Sequence, residues 1–255
     1  MNGPVLECSD ICKRFGGLTA LDAVSFAAGR GRITAVIGPN GAGKTTLMNV
    51  ISGITPPDRG SVTLDKTVIS GLPSHAVARR GITRTFQTAR IFSALTVLEN
   101  VMVGLHTRTR TGFFGAALTL PGARREERRI AERAAQYLEM VGLADSAHRP
   151  AASLPIGSQR LLEIARALAA EPRVLLLDEP AAGLNTQETR ALGELLARIR
   201  GRGVSMLLVE HDMELVMEVA DDVMVLNFGK RIAWGGPAEI QANPEVIEVY
   251  LGKGA

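Results

Sequence analysis

One glycine-rich segment constrains the fold of this chain more than any other part of the sequence. Residues Gly38-Pro39-Asn40-Gly41-Ala42-Gly43-Lys44-Thr45 fit the pattern G-x-x-x-x-G-K-[ST]. The segment lies between the apolar run 33–37, which is typical of a buried strand, and a helical pattern over 44–52 that stops at Gly53. A loop in this position directs backbone N–H groups and a helix amino terminus at phosphate oxygens. The segment therefore predicts a nucleotide-binding loop.

Three side chains at the end of this loop have predicted roles. Lys44 would reach the outer phosphates as a point charge, and the Thr45 hydroxyl would bind Mg²⁺. Thr46 continues the first helical turn, and we include it among the nucleotide-binding residues. The alternative is an ordinary strand-to-helix turn, which the correct flanking elements disfavour.

The order of apolar runs predicts a parallel sheet. Two more buried-type strands are expected at 174–177 and 206–209, separated by helical patterns over 159–170 and 188–200. The stretch from Thr88 to Arg166 lacks a comparable strand and carries helical patterns instead. We therefore predict a nucleotide-binding core formed by 1–87 and 167–255, with an inserted helical lobe over 88–166.

Polar residues that follow two of these strands complete the predicted site. Asp178 and Glu179 directly follow the run 174–177, and His211 lies two residues after the run 206–209. Ligands of open α/β sheets collect at the carboxyl ends of parallel strands. Asp178 would hold Mg²⁺, Glu179 would polarise the attacking water, and His211 would contact the γ-phosphate. The alternatives are a pair of solvated loop acids and a structural histidine.

Composition excludes several other classes of protein. The 255 residues suit one large α/β domain with an insertion, and an aromatic content of 4% argues against stacking on single-stranded nucleic acid. No apolar run reaches the length of a membrane span, and the amino terminus lacks a secretory pattern, so we expect a cytoplasmic chain. Cys8 and Cys12 are expected to be reduced thiols.

In chain order, the phosphate loop, Gln87, the loop around Gly157, Asp178-Glu179, the 182–185 segment and His211 resemble the ATPase subunit of an ATP-binding-cassette (ABC) transporter. The resemblance covers nearly the whole chain. Further segments resemble the LivG-type subunit of branched-chain amino-acid importers; they are 84–88, 93–101, 111–114, 162–166, 181–185, 210–213 and 249–252.

This resemblance implies an α/β fold, in which a P-loop NTPase (RecA-like) core carries an antiparallel β subdomain and an inserted α-helical lobe. It implies ATP and Mg²⁺ as cofactors. Gln87 would sense Mg²⁺ or water beside Thr45 and Asp178, and Phe15 would stack on adenine, for which a flat ring suffices. Asn185 would lie on a loop exchanged between two subunits.

The signature loop departs from the family. The usual Leu-Ser-Gly-Gly-Gln is replaced by Leu154-Pro155-Ile156-Gly157-Ser158, followed by Gln159. In the family this loop closes on ATP held by the opposite subunit, and Pro155 removes both a hydroxyl and an N–H there. We expect Gly157, the helix terminus and Ser158 as N-cap to supply donors instead.

The resemblance also implies partners. They are two transmembrane permease subunits, a second cassette (a copy or a paralogue) in a head-to-tail dimer, and indirectly a periplasmic solute-binding protein, with no nucleic acid. The chain would lie peripherally on the cytoplasmic face of the inner membrane. The segment 106–125, with its arginines, Phe113 and Phe114, would lie near the permease or membrane, unless both rings pack under the lobe.

Three alternatives remain open. A soluble cassette ATPase for DNA or cofactor-assembly work would need a coiled-coil insertion or tandem cassettes, and the sequence has neither. A weakly hydrolysing regulatory subunit is compatible with Pro155. Within transport, the alternatives are lipid or lipopolysaccharide export and urea or amide import.

Overall fold

The computed structural model describes residues 3–86, 91–106 and 121–251, without the side chains of 106, 121–124 and 251. Its contacts divide the chain into two compact units, Met1–Arg84 with Arg173–Ala255, and Thr85–Pro172. No helix within the described ranges is long and apolar enough to cross a membrane.

All strands of the described ranges belong to the first unit. They are β1 (Leu6–Phe15), β2 (Leu18–Ala28), β3 (Ile33–Ile37), β4 (Arg59–Leu64), β5 (Thr67–Val68), β6 (Ile82–Arg84), β7 (Val174–Asp178), β8 (Ser205–Val209), β9 (Asp222–Asn227) and β10 (Lys230–Gly235). The helices of this unit are α1 (Lys44–Ile51), α2 (Ser74–Arg80), α6 (Thr186–Gly201), α7 (Met213–Val219), α8 (Pro237–Gln241) and α9 (Pro244–Leu251).

Two sheets form the first unit. The antiparallel sheet has the order β2-β1-β4-β5, and the larger sheet has the order β10-β9-β3-β8-β7-β6. The larger sheet is parallel except for β10, which pairs antiparallel with β9. Every residue of β3, β7 and β8 is buried, as expected for strands covered on both faces. The predicted α/β fold is confirmed.

The register of the central strands positions the site. Val36 of β3 and Asp178 of β7 both lie opposite Val209 of β8. The residues that follow these three strands therefore meet at one edge of the sheet, which is where open α/β sheets bind ligands. Side chains of β1, β2, α1 and the parallel strands share one apolar core, which includes Phe26, Leu47 and Leu176.

The second unit is helical. It contains α3 (Val97–His106), α4 (Pro121–Met140) and α5 (Ile156–Ala169), with single 3-10 turns at Ala144–Ser146 and Ala151–Ser153. Gly104 lets α3 approach α5 closely, because a Cβ at this position would lie 2.3 Å from the carbonyl oxygen of Arg166 and 3.0 Å from Cβ of Ala169. The apolar faces of α3, α4 and α5 bury Val101, Leu138 and Leu162.

Candidate nucleotide site

The predicted phosphate loop connects β3 to α1. Gly43 is the N-cap of α1 and has φ 105°, and a Cβ there would lie 2.6 Å from the carbonyl oxygen of Ala20. Only glycine combines this conformation with so close an approach. Lys44, Thr45 and Thr46 form the first helical turn, where backbone N–H groups have no partner inside the helix. The loop can therefore present these donors to phosphate.

Lys44 is bound to its own loop. Its Nζ donates to the carbonyl oxygens of Gly38 at 2.6 Å and Pro39 at 3.0 Å, and the residue is 8% exposed. Burial lowers the pKa of Lys44, while the negative charges of Glu179 and Asp178 oppose that shift. The ammonium thus binds the loop carbonyls and also interacts electrostatically with the two acids predicted from the sequence.

Asp178 is held by an arginine that the sequence analysis did not assign to the site. Arg84, the last residue of β6, donates from Nη2 to Oδ2 of Asp178 at 2.7 Å. Its Nη1 donates to Oδ1 of Asn49 on α1 at 2.7 Å. Both members of the ion pair are less than a tenth exposed. Arg84 therefore joins β6, β7 and the helix that follows the phosphate loop.

The donor chemistry at this edge suits Mg²⁺. Within the described ranges, no group of three or more His, Cys, Asp or Glu side chains is arranged to hold a metal ion. Mg²⁺ is commonly bound through one or two protein oxygens together with substrate phosphates. The Thr45 hydroxyl and the Asp178 carboxylate are oxygen ligands of this kind.

Glu179 and His211 lie close together, as the strand order requires. Nδ1 of His211 is 4.0 Å from Oε2 of Glu179, which is too long for a hydrogen bond. The His211 side chain is 65% exposed and the Glu179 side chain 21%, so both are accessible to a ligand. Glu179 has φ 47°, a conformation that is strained for a residue with a Cβ.

A buried glutamate that the sequence analysis also missed lies behind this pair. Oε1 of Glu210 accepts from Ala181 N at 2.8 Å, and Oε2 accepts from His211 N at 3.1 Å and Asp212 N at 3.4 Å. Burial raises the pKa of Glu210, while the three N–H donors and the nearby His211 oppose the shift. Its place directly before His211 was the available sequence signal.

The structure corrects one expectation for the signature loop. Helix α5 begins at Ile156 with Pro155 as its N-cap, so Ser158 lies in the first turn and is not the N-cap. Leu154 is buried, and Nε2 of Gln159 donates back to its carbonyl oxygen at 2.9 Å. Ile156 is 67% exposed. The loop thus presents an apolar side chain beside the first-turn N–H groups of Gly157 and Ser158.

The other predicted site residues lie in three further parts of the chain. Phe15 ends β1, is about half exposed, and has Nζ of Lys13 5.5 Å from its ring centroid. Asn185 forms a capping box with Glu188 at the start of α6: its Oδ1 accepts from Glu188 N at 3.0 Å. Gln87 lies outside the described residues, as do Phe113 and Phe114 of the predicted membrane-proximal segment.

Family profiles match two parts of the chain. The ABC transporter profile matches residues 21–182. A profile described as branched-chain amino acid ATP-binding cassette transporter matches residues 230–255.

Individual proteins match over nearly the full length. The branched-chain amino acid transport ATP-binding protein BraF of Pseudomonas aeruginosa is 46% identical over 99% of this chain and 100% of its own. LivG of Escherichia coli K12 is 44% identical with the same coverage. A solved nucleotide-free ATP-binding cassette is 33% identical, with a TM-score of 0.85 over 99% of this chain and 100% of that one. Another, in its ADP conformation, is 32% identical with the same TM-score and coverage.

Proposed function

Because the chain belongs to the ABC transporter family of ATP-binding proteins, we propose that it is the ATPase subunit of an importer for branched-chain amino acids. One observation carries the ATPase part: the phosphate loop, Asp178-Glu179 and His211 converge at the carboxyl ends of β3, β7 and β8. The substrate class is supported by the relatives, which are named as high-affinity branched-chain amino acid transport proteins, and by the carboxyl-terminal profile.

The residues divide the chemistry of hydrolysis between them. The first-turn N–H groups of α1 and Lys44 bind the phosphates, and Phe15 offers a ring to the adenine. Thr45, Asp178 and Gln87 would hold Mg²⁺, which neutralises charge on the phosphate oxygens when bound. Glu179 accepts a proton from the attacking water, and His211 donates to the γ-phosphate.

The assembly is part of this proposal. A second cassette, either a copy or a paralogue, would place its signature loop on the ATP held by this chain, in a head-to-tail dimer. Two permease subunits would bind the dimer at the cytoplasmic face of the inner membrane, and a periplasmic solute-binding protein would deliver the amino acid. Binding of the γ-phosphate between the cassettes favours the closed state, and hydrolysis removes that contact.

Glu179→Gln tests the function. The amide keeps the size of the side chain but is a poor base, so hydrolysis should fall by roughly 10²-fold or more while ATP binding is retained. Glu218→Gln, an exposed position on α7, is the matched control and should hydrolyse at the normal rate. Undiminished hydrolysis in Glu179→Gln would contradict the assignment.

Transport is measured separately. The chain is reconstituted in vesicles with a second cassette, two permease subunits and a solute-binding protein, and labelled leucine, isoleucine or valine is supplied. ATP-dependent uptake that Glu179→Gln abolishes supports the proposal. If none of these amino acids stimulates ATP hydrolysis but a lipid or urea does, the proposed substrate is wrong.

Pro155 favours one second candidate, a subunit that binds ATP and hydrolyses it slowly. The proline stands at the N-cap of α5, where it offers neither a hydroxyl nor an N–H to a partner's ATP. In that case the isolated chain and the full complex would show equally low turnover. Stimulation of hydrolysis by the permeases would exclude this candidate.

A further inference from the structure

The proposed mechanism of hydrolysis assigns no role to Glu210. Its carboxylate nevertheless contacts both the loop that carries Glu179 and the loop that carries His211. The side chain is fully buried at the end of β8. It accepts Ala181 N on one oxygen, and His211 N and Asp212 N on the other. An ionised carboxylate only accepts hydrogen bonds, and three backbone donors are a suitable set for it.

The contact with Ala181 constrains Glu179. Pro180 lies between them and fixes its own φ, so a fixed Ala181 N–H leaves the backbone of Glu179 little freedom. Glu179 N donates to the carbonyl oxygen of Val209 at 2.9 Å, next to Glu210 in the chain. The left-handed conformation of Glu179 persists only where the surroundings determine it, and these two contacts do so.

The contacts with His211 and Asp212 constrain the other loop. Both N–H groups point at the same oxygen of Glu210, so the turn from β8 into α7 wraps around that oxygen. Asp212 also caps α7, because its Oδ1 accepts from Leu215 N at 3.1 Å. The direction in which the His211 side chain leaves the sheet is therefore set by the Glu210 carboxylate.

We propose that Glu210 is a positioning residue, whose carboxylate joins the Glu179 and His211 loops and sets the distance between these two side chains. The proposal rests on the proposed roles of Glu179 and His211 in ATP hydrolysis. The rate of hydrolysis should therefore depend on the length of the side chain at position 210 as well as on its hydrogen-bond acceptors. Glutamine keeps that length but loses one acceptor, whereas aspartate keeps the charge but is one methylene too short to bond both loops.

The test compares Glu210→Gln and Glu210→Asp in the full chain, with ATP hydrolysis and with binding of a fluorescent ATP analogue. The kcat should fall about tenfold in Glu210→Gln and further in Glu210→Asp, since misplaced catalytic groups cost rate. The KM for ATP should stay within about twofold, because the phosphate loop is untouched. In a Glu179→Gln background each substitution should lower the rate by a smaller factor than in the wild type, because one of the two groups that Glu210 positions is already lost.

Asp221→Asn is the control for a purely structural carboxylate. Oδ2 of Asp221 accepts from Ile33 N at 2.8 Å at the opposite end of the same sheet. This variant should lower the thermal unfolding midpoint and leave kcat unchanged below it. Three results would overturn the proposal: Glu210 variants that behave like Asp221→Asn, an aspartate variant more active than the glutamine variant, or failure of both variants to fold. A wild-type chain without hydrolysis would instead refute the proposed function.

Discussion

Arg84 and Asp178 form a buried ion pair at the ends of the neighbouring strands β6 and β7, with Nη2 and Oδ2 2.7 Å apart. The same guanidinium contacts Asn49 on α1 and Ser52, the residue that caps this helix. An acid predicted to bind Mg²⁺ is thus paired with a cation from a segment 94 residues earlier in the chain.

Removing Arg84 should destabilise the chain strongly. Arg84→Met leaves the Asp178 carboxylate buried without its cation, and such changes cost about 3–5 kcal/mol. Urea unfolding measures the loss. Mg²⁺ and ATP should restore part of it, because the bound ion would compensate the same carboxylate.

The control for this prediction is Arg32→Met. Arg32 pairs with Asp222, but its side chain is about half exposed, so the expected cost is at most about 1 kcal/mol. If both variants lose the same free energy of unfolding, the buried Arg84–Asp178 pair contributes no more to stability than the exposed Arg32–Asp222 pair.

Gly104 should not tolerate a side chain. Alanine normally stabilises a helix interior by about 1 kcal/mol relative to glycine. In Gly104→Ala the new methyl group would lie 2.3 Å from the carbonyl oxygen of Arg166, so α3 and α5 must separate. We expect lower stability in urea unfolding. Gly201→Ala, at the end of α6 with open space around it, should be neutral or stabilising.

Glu210 should give the chain a distinct dependence of stability on pH. Burial raises its folded-state pKa above the ordinary value of 4.5. Between 4.5 and that raised pKa the folded state binds more protons than the unfolded state, so the free energy of unfolding decreases as pH rises through this window. Glu210→Gln removes this contribution. The free energy of unfolding of the wild type and of Glu210→Gln should be measured in urea at several pH values between 4.5 and the raised pKa. The difference between the two free energies should change with pH.

The backbone at Phe86 should exchange its amide hydrogens faster when its hydrogen bonds with α5 are removed. Nη1 of Arg160 donates to the carbonyl oxygen of Phe86 at 2.9 Å, and Oε1 of Glu163 accepts from Phe86 N at 3.3 Å. In Arg160→Met and Glu163→Gln, hydrogen exchange should accelerate in peptides that contain Phe86. Arg198→Met, on the exposed face of α6, should leave these peptides unchanged. Equal exchange in all three variants would contradict the prediction.

Pro155→Ser should increase turnover in the assembled transporter. Serine restores a hydroxyl donor, and a hydrogen bond to a charged phosphate contributes about 1.5–3 kcal/mol where it forms. Because Pro155 is the N-cap of α5, serine should also stabilise this helix by about 1 kcal/mol, visible in thermal unfolding. The gain in rate should disappear when the partner cassette loses its catalytic glutamate. An unchanged rate and dimer lifetime would show that the helix terminus already suffices.

The parts of the fold that could be predicted are those with local signals. β3, β7 and β8 are continuous apolar runs because both faces are buried, and the glycines and lysine of the loop specify its position. The Arg84–Asp178 pair could not be predicted from the residues, because it depends on β6 lying beside β7, a pairing with no local signal. The observed N-cap of α5 is Pro155 and not the expected Ser158. Serine is a common N-cap, but proline is compatible with this position because the N–H that it lacks has no partner inside the helix.

The two hydrogen bonds from Lys44 to the carbonyl oxygens of Gly38 and Pro39 make nucleotide binding an exchange of acceptors. A ligand that recruits this ammonium must outcompete two neutral carbonyls, which a doubly charged terminal phosphate does easily and an uncharged group does not. The loop therefore favours ligands that carry a negative charge near Lys44, whatever the shape of the rest of the ligand. Adenosine, which offers the same base and ribose but no anionic oxygen, would leave Lys44 where it is.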